Sequence, residues 1–256
     1  MCFLRGRCPG ILLLASLLPG VLWADDVVTV AVASNFAVTA AEVSVAFTEE
    51  TGVPVRISAG STGKLYAQIV NGAPFDVFLA ADTERPRLLE QSGHVEAGSR
   101  RNYAIGSLVL WSRDAALSGK NCLDALQQGN FNKLALANPE TAPYGSAARD
   151  YLKAAGLWKY ASTRAVYGEN ISQTLQFVAT GNATLGFVAR SQLVNTELPA
   201  ATCTWVVPAA SHSPLHQQVV LLTRARGNDS ARRFVDFLGD AVARGIVEQH
   251  GYGVPD

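Results

Sequence analysis

Apolar and polar positions alternate in blocks along this chain, and the blocks predict strands that alternate with helices. Eight short apolar runs have the length and composition of buried strands: 27–33, 53–58, 77–80, 108–111, 134–137, 185–188, 205–207 and 219–223. Eight further stretches have the period of an amphipathic helix: 36–51, 62–71, 84–92, 123–128, 145–155, 172–180, 228–238 and 241–250. This alternation is typical of an α/β protein with mostly parallel sheets covered by helices on both faces.

No linker, repeat or low-complexity run divides the chain, so any division into lobes must follow the strands. A chain of 256 residues is long for one core and suits two. Segments 103–111 and 216–223 are the candidates for crossing from one lobe to the other and back. We predict one lobe from 25–106 plus 219–256 and a second from 107–218. Two such crossings make a hinge with a cleft, a common place for a ligand.

The first 24 residues have the pattern of an export signal. Arg5 and Arg7 precede an apolar stretch at 11–22, and Ala24 is the small residue expected before a cleavage site. The apolar stretch is short for a membrane span. We therefore predict that 1–24 is a signal peptide and that the exported protein begins near Asp25.

Loss of this signal changes the charge and the cysteine content. Two of the 21 basic residues and no acidic residue lie within it, so 19 basic and 21 acidic residues remain and the formal net charge is −2. This balance argues against a nucleic-acid partner, which requires a concentrated basic face. Cys2 and Cys8 leave with the signal, which makes Cys122 and Cys203 the remaining pair in an oxidising compartment. A disulfide between them is predicted, and two buried thiols are the alternative.

The candidate chemistry lies where strands end and helices begin. Ser34 and Asn35 follow the first predicted strand, and Ser61 and Thr62 follow the second. The first amides of a helix lack intrahelical partners and carry the positive end of the helix dipole, so such turns offer N–H and O–H donors to an anion. Simple capping of the two helices is the alternative interpretation.

Two matching turns occur in the middle of the chain. Tyr144 follows Pro143 in a segment that we expect to be an exposed turn before a helix at 145–155. Asn170 is placed to cap the helix that follows Ile171. Four turns of this kind, two from each lobe, would surround a small anion in a closed cleft.

These turns also carry a family resemblance. The motifs are ASNF at 33–36, GSTGKLYAQI at 60–69, NGAPFDVF at 71–78, NP at 138–139, APYG at 142–145, GENISQ at 168–173 and LGFVA at 185–189. In their order and spacing they resemble the periplasmic molybdate-binding proteins of ABC importers, over essentially all of 25–256. The resemblance implies a two-lobed type II periplasmic binding fold with molybdate or tungstate in the interlobe cleft.

The resemblance also implies a set of ligand contacts. They fall on the first-lobe turns, on Tyr144 and on the backbone of Ile171. The full candidate set is Ser34, Asn35, Ser61, Thr62, Tyr144, Asn170 and Ile171. Whether Ser61 or Thr62 donates its hydroxyl stays open, because a one-residue shift of the comparison exchanges them. The implied partner is an ABC permease in the inner membrane, and the implied protein is a periplasmic monomer without a cofactor.

Parts of the sequence also fit other functions. The same fold could bind a different oxyanion such as sulfate. A secreted serine hydrolase would use Ser61 as its nucleophile, with Asp229 or Asp236 and His250 completing a triad in the chain order of that class. The four histidines are scattered along the chain, so no site for a free metal cation is expected. The absence of an evident acid and base pair predicts a binding protein and not an enzyme.

Overall fold

The fold is described from a computed structural model, which covers residue 2, residues 27–194 and residues 198–255. The predicted signal peptide lies outside the described residues, apart from Cys2. Within the described residues, no helix combines the length and the apolar character needed to span a membrane.

Ten strands and ten α-helices occur in the described ranges. The strands are β1 (Val28–Ala33), β2 (Val55–Gly60), β3 (Val77–Ala80), β4 (Arg101–Ile105), β5 (Leu108–Ser112), β6 (Leu134–Ala137), β7 (Ala165–Gly168), β8 (Leu185–Ala189), β9 (Cys203–Val206) and β10 (His216–Leu221). The helices are α1 (Ala37–Thr51), α2 (Thr62–Val70), α3 (Glu84–Gln91), α4 (Cys122–Gln127), α5 (Pro143–Ala154), α6 (Trp158–Ser162), α7 (Ile171–Ala179), α8 (Ser191–Val194), α9 (Asp229–Phe237) and α10 (Ala241–Gln249).

The strands form two five-stranded sheets with equivalent strand orders. The first sheet has the order β2-β1-β3-β10-β4 and the second has the order β7-β6-β8-β5-β9. In each sheet the first three strands are parallel, and the fourth, β10 or β5, is antiparallel to both of its neighbours. The sheets are therefore mixed but mostly parallel, and the two-lobed fold is confirmed.

Both faces of each sheet are covered, which explains the continuous apolar runs in the sequence. In β1, Val30 and Val32 pack toward α1, α9 and α10, whereas Ala31 packs toward α2 and α3. Strand β5 is likewise buried at all five positions. A central strand with no solvated face needs apolar residues at every position, so it shows no alternation.

Two edge strands have no counterpart among the eight predicted runs. Strand β4 lies at the edge of the first sheet and strand β7 at the edge of the second. Their outer positions are exposed or half-buried, so polar residues are tolerated and the apolar signal is weak. Strand β2, also at an edge, begins two residues later than predicted, at Val55.

The first crossing between the sheets lies within the predicted segment 103–111, whereas the return lies between β9 and β10, at 207–215, just before the predicted segment 216–223. Strand β4 ends at Ile105 and strand β5 begins at Leu108, so the first crossing consists of Gly106 and Ser107. The return passes beside it, where the Gly106 N–H donates to the carbonyl of Leu215 at 2.9 Å. The proposed division into 25–106 plus 219–256 and 107–218 remains a prediction. Its bound at 218/219 falls inside β10, which is one continuous strand of the first sheet.

The predicted disulfide is present. Cys122, at the start of α4, is bonded to Cys203, at the start of β9, with their Cα atoms 5.4 Å apart. Both residues are buried beside the large core of the second lobe. The bond therefore ties the edge strand of that lobe to a helix 81 residues earlier in the chain.

Candidate oxyanion-binding site

Four helix starts converge on one cavity between the sheets. They are the short 3-10 helix Ser34–Phe36 after β1, and the starts of α2, α5 and α7, which follow β2, β6 and β7. The cavity is small, and its lining is Ala33, Ser34, Asn35, Gly60, Ser61, Thr62, Ala81, Ala142, Pro143, Tyr144 and Ile171. The structure thus brings together six of the seven candidate residues, and Asn170 is absent from the lining.

In the first lobe, two hydroxyls of the second turn keep their protons available. Ser61 caps α2, and its Oγ accepts from the N–H of Lys64 at 3.4 Å. The Oγ1 of Thr62 accepts from the N–H of Ala81 at 3.2 Å. A hydroxyl that accepts one bond still has a proton to donate, so both residues remain candidates for contact with an anion.

The side-chain amides of the two candidate asparagines are engaged within the protein. Asn35 Nδ2 donates to Gln217 Oε1 and to the Tyr252 hydroxyl, both at 3.0 Å. Asn170 Oδ1 accepts from the N–H groups of Ser172 and Gln173, both at 3.0 Å, which confirms the predicted cap. At these turns the groups left to face an anion are the backbone N–H groups at the helix starts.

The backbone donors can be identified from the hydrogen bonds of each first turn. In α2 the N–H groups of Gly63 and Lys64 are engaged, which leaves that of Thr62. In α7 the two following N–H groups serve the Asn170 cap, which leaves that of Ile171. Each is at the first position of its helix, where the dipole favours negative charge.

Tyr144 is placed differently from the sequence-based expectation. Helix α5 begins at Pro143 and not at 145, because proline is well suited to the first helical position, where no N–H bond is needed. Tyr144 is therefore helical, and only 1% of it is exposed. Its hydroxyl accepts from Gln217 Nε2 at 3.4 Å. Burial, with a smaller contribution from nearby Tyr252, raises the Tyr144 pKa well above its ordinary value, so the phenol stays a hydrogen-bond donor.

The lining residues are all neutral. Lys64, which follows the second turn, forms an exposed ion pair with Glu169 at 2.8 Å. Arg85 is paired with Asp82 at 2.9 Å. An anion in this cavity is therefore held by dipoles and hydrogen-bond donors of the lining and not by a counter-ion within it.

Contacts between the lobes surround the cavity. The Gly63 N–H donates to the carbonyl of Thr141 at 2.8 Å, and Ser172 Oγ donates to the carbonyl of Ser34 at 3.1 Å. A Cβ at Gly63 would lie 3.0 Å from the Thr141 backbone, which is tighter than an ordinary van der Waals contact. Glycine therefore allows the two backbones to come this close. Arg85 also reaches across and donates to the carbonyl of Glu140 at 3.2 Å.

The sequence-based search missed a buried polar cluster behind the cavity. Gln217 is fully buried and contacts Asn35, Tyr103 and Tyr144, and Tyr252 joins through Asn35. One signal was available in the sequence, since Gln217 and Gln218 stand at the start of an apolar strand. A glutamine in a buried strand requires hydrogen-bond partners.

The rival hydrolase site is not assembled. His250 Nε2 lies 2.7 Å from Glu42 Oε2, and Asp236 is paired with Arg101. Ser61 instead caps α2 at the cavity. Across residues 27–194 and 198–255, no group of three or more potential metal-ligating side chains comes together.

Comparison with known proteins agrees with this geometry. Residues 28–253 match the family model of bacterial extracellular solute-binding proteins. The molybdate-binding protein ModA of Azotobacter vinelandii is 42% identical over 228 residues, which cover 89% of this chain and 90% of the relative. ModA of Rhodobacter capsulatus is 39% identical over 225 residues, which cover 88% of this chain and 87% of that relative.

A solved structure gives the same result. The periplasmic molybdate-binding protein of Azotobacter vinelandii superposes with a TM-score of 0.84 at 36% identity, over 90% of this chain and 100% of that one. The likeness therefore extends over both lobes and the site between them. The chain belongs to the bacterial extracellular solute-binding proteins and, among them, to the family of the molybdate-binding proteins.

Proposed function

We propose that this protein binds molybdate, or the similar tungstate, in the cavity between its lobes and delivers it to an ABC importer. The observation that carries the proposal is a lining made of neutral donors at four helix starts. Relatives that share most of the chain are molybdate-binding proteins, which supports molybdate as the ligand.

The donor set suits a fully ionised tetrahedral oxyanion. Such an anion loses its hydration shell in the cavity, so each oxygen must receive hydrogen bonds from the protein. A charge-assisted bond contributes on the order of 1.5–3 kcal/mol, so several of them offset the desolvation without a counter-ion. An anion that carries a proton would place an O–H against an N–H, which disfavours phosphate near neutral pH.

The proposed contacts come from both lobes. From the first lobe they are the hydroxyls of Ser34 and of Ser61 or Thr62, with the backbone N–H groups of Asn35 and Thr62. From the second lobe they are the hydroxyl of Tyr144 and the backbone N–H of Ile171. Asn170 acts indirectly, because its side chain caps α7 and thereby positions the Ile171 N–H.

The protein is proposed to act in the periplasm as a monomer that hands its ligand to a permease in the inner membrane. The periplasmic relative in Azotobacter vinelandii and the predicted signal at 1–24 support this location. A ligand that touches both lobes favours their closed arrangement through its differential affinity, and the closed surface is what an importer would recognise. Binding and closure, without a chemical step or a cofactor, are sufficient for this function.

Calorimetric titration of the purified exported protein tests the proposal. We expect heat with molybdate and tungstate, and none with sulfate or phosphate at the same concentration. If sulfate binds with equal affinity, the site binds tetrahedral dianions in general and is not specific for molybdate. If the protein hydrolyses an ester substrate and Ser61→Ala abolishes this activity, the proposal is wrong and the serine hydrolase is the correct interpretation.

A further inference from the structure

The buried cluster behind the cavity has a fixed hydrogen-bond direction. The starting point is the backbone carbonyl of Asn35, which can only accept. The Tyr252 hydroxyl donates its single proton to this carbonyl at 2.7 Å. The Tyr252 oxygen must then act as the acceptor toward Asn35 Nδ2, which lies 3.0 Å away.

The direction continues through Gln217. The Asn35 amide donates its other proton to Gln217 Oε1, and the Tyr103 hydroxyl lies at 3.0 Å from the same oxygen. Because Gln217 Oε1 accepts from the Asn35 amide, Gln217 Nε2 faces Tyr144 and donates to the phenol oxygen at 3.4 Å. Tyr144 thus accepts from behind, and its own proton is left to point toward the cavity.

The first crossing between the lobes leaves room for the Tyr144 hydroxyl and the Gln217 amide. A methyl group at Gly106 would overlap the Tyr144 hydroxyl and would lie 2.9 Å from Gln217 Nε2. Gln217 itself is the second residue of β10, directly after the return crossing. The residues that hold the phenol therefore belong to the two segments that join the lobes.

We infer that Gln217 is a positioning residue of the binding site, which holds the Tyr144 hydroxyl as a donor to the bound oxyanion, and that Gly106 provides the room for it. This inference rests on the proposed function, since it assigns the direction of one contact in that site. It explains how the Tyr144 hydroxyl, which can donate or accept a hydrogen bond, acts as a donor in a site that requires donors.

A double-mutant cycle with molybdate titration tests the inference. Gln217→Met keeps the length of the side chain and removes the amide. We expect it to weaken binding about fivefold to tenfold, where tenfold equals about 1.4 kcal/mol. In the Tyr144→Phe background the same substitution should add less than about twofold, because the hydroxyl that it positions is gone.

A second background separates positioning from a general structural role. In Ser61→Ala, whose hydroxyl lies in another turn, Gln217→Met should retain its full effect. Equal losses in the wild type, Tyr144→Phe and Ser61→Ala would mean that Gln217 supports the fold in general, and would overturn the inference. An effect below twofold in the wild type would overturn it as well.

Gly106→Ala provides an independent variant if Gln217→Met does not fold. It should weaken binding by displacing the phenol, and Tyr144→Phe should remove most of that loss. Gly245→Ala is the matched control, since Gly245 lies within α10, outside the cavity lining, and a Cβ there meets no atom within 4 Å. If neither site variant folds, the cluster serves stability alone and the inference is wrong.

The two proposals fail differently. If the wild type binds sulfate and not molybdate, the choice of ligand is wrong, and the same cycle with sulfate still decides the role of Gln217. If the wild type binds molybdate but Gln217→Met and Tyr144→Phe are additive, only the role of Gln217 is wrong. If the wild type binds neither, both proposals are wrong.

Discussion

The two lobes place equivalent turns at the site but present different groups. Their sheets have matching strand orders, and in each lobe the turns at the cavity follow the second and the first strand of that order. In the proposed site, the first lobe brings serine and threonine hydroxyls together with backbone N–H groups, whereas the second brings a phenol and a backbone N–H. Shared topology therefore determines where donors gather, and the residues of each turn determine which types of donor they are.

The two asparagines show the same contrast. Asn35 and Asn170 occupy similar places at helix starts, yet the amide of Asn35 joins the cluster around Gln217 and that of Asn170 caps its own helix. Neither amide is left as the main donor to an anion. In the proposed site, each asparagine therefore contributes through the backbone N–H groups that lie at its helix start.

The lobes also differ in how they are stabilised, and the largest predicted effect follows from this. Cys122→Ser combined with Cys203→Ser should lower the free energy of unfolding by roughly 4–5 kcal/mol, since the bond closes a loop of 81 residues in the unfolded chain. Hydrogen exchange should show the loss of protection mainly in β5, β9 and α4. Uniform loss across both sheets would show that the lobes unfold as one unit.

The second prediction compares one donor from each lobe. Tyr144→Phe should weaken molybdate binding by about 1–3 kcal/mol and change the unliganded stability little, because its bond to Gln217 is long. Ser61→Ala should weaken binding and also lower the unliganded stability by about 1 kcal/mol, because Ser61 caps α2. Titration and denaturant unfolding of both variants measure the two effects. If Tyr144→Phe binds normally, the phenol is not a ligand.

The third prediction concerns the place where the lobes meet. Gly63→Ala puts a Cβ 3.0 Å from the Thr141 backbone, so the lobes must separate slightly to admit it. Affinity for molybdate should fall by about 1 kcal/mol through this overpacking, with a faster release rate in stopped-flow measurements. Gly72→Ala makes a poor control because Gly72 has a positive φ, whereas Gly245→Ala is suitable. An unchanged release rate would mean that the Gly63–Thr141 contact does not limit opening.

The smallest predicted effect belongs to the ion pair across the cleft. Lys64 and Glu169 are both well exposed, so salt and water screen their attraction. Lys64→Gln should change affinity by less than about 1 kcal/mol, and the difference should disappear at high salt. Glu169→Gln should behave similarly if only the pair matters. A large loss for Lys64→Gln alone would instead make Lys64 a ligand of the anion.

Much of the fold could be predicted because buried strands and amphipathic helices each have a characteristic pattern of apolar residues in the local sequence. All eight predicted strands are present, and the turns with Ser34, Ser61 and Ile171 could be recognised from residues that favour helix starts. The Cys122–Cys203 bond followed from the cysteine count. Strands β4 and β7 are absent from the eight apolar runs because an edge position does not demand a continuous apolar run, although the predicted crossing segment 103–111 includes the end of β4.

The sequence by itself determined the layered fold, the four turns and the types of donor that they carry, since these depend on residues close together in the chain. Only the tertiary structure decided that Tyr144 is buried and helical, that the Asn35 amide faces Gln217, and that Gly106 makes room for the phenol. These features join residues up to 182 positions apart, as Asn35 and Gln217 are. Hydrogen-bond direction depends on which partners the fold brings within about 3 Å, and no local pattern encodes that choice.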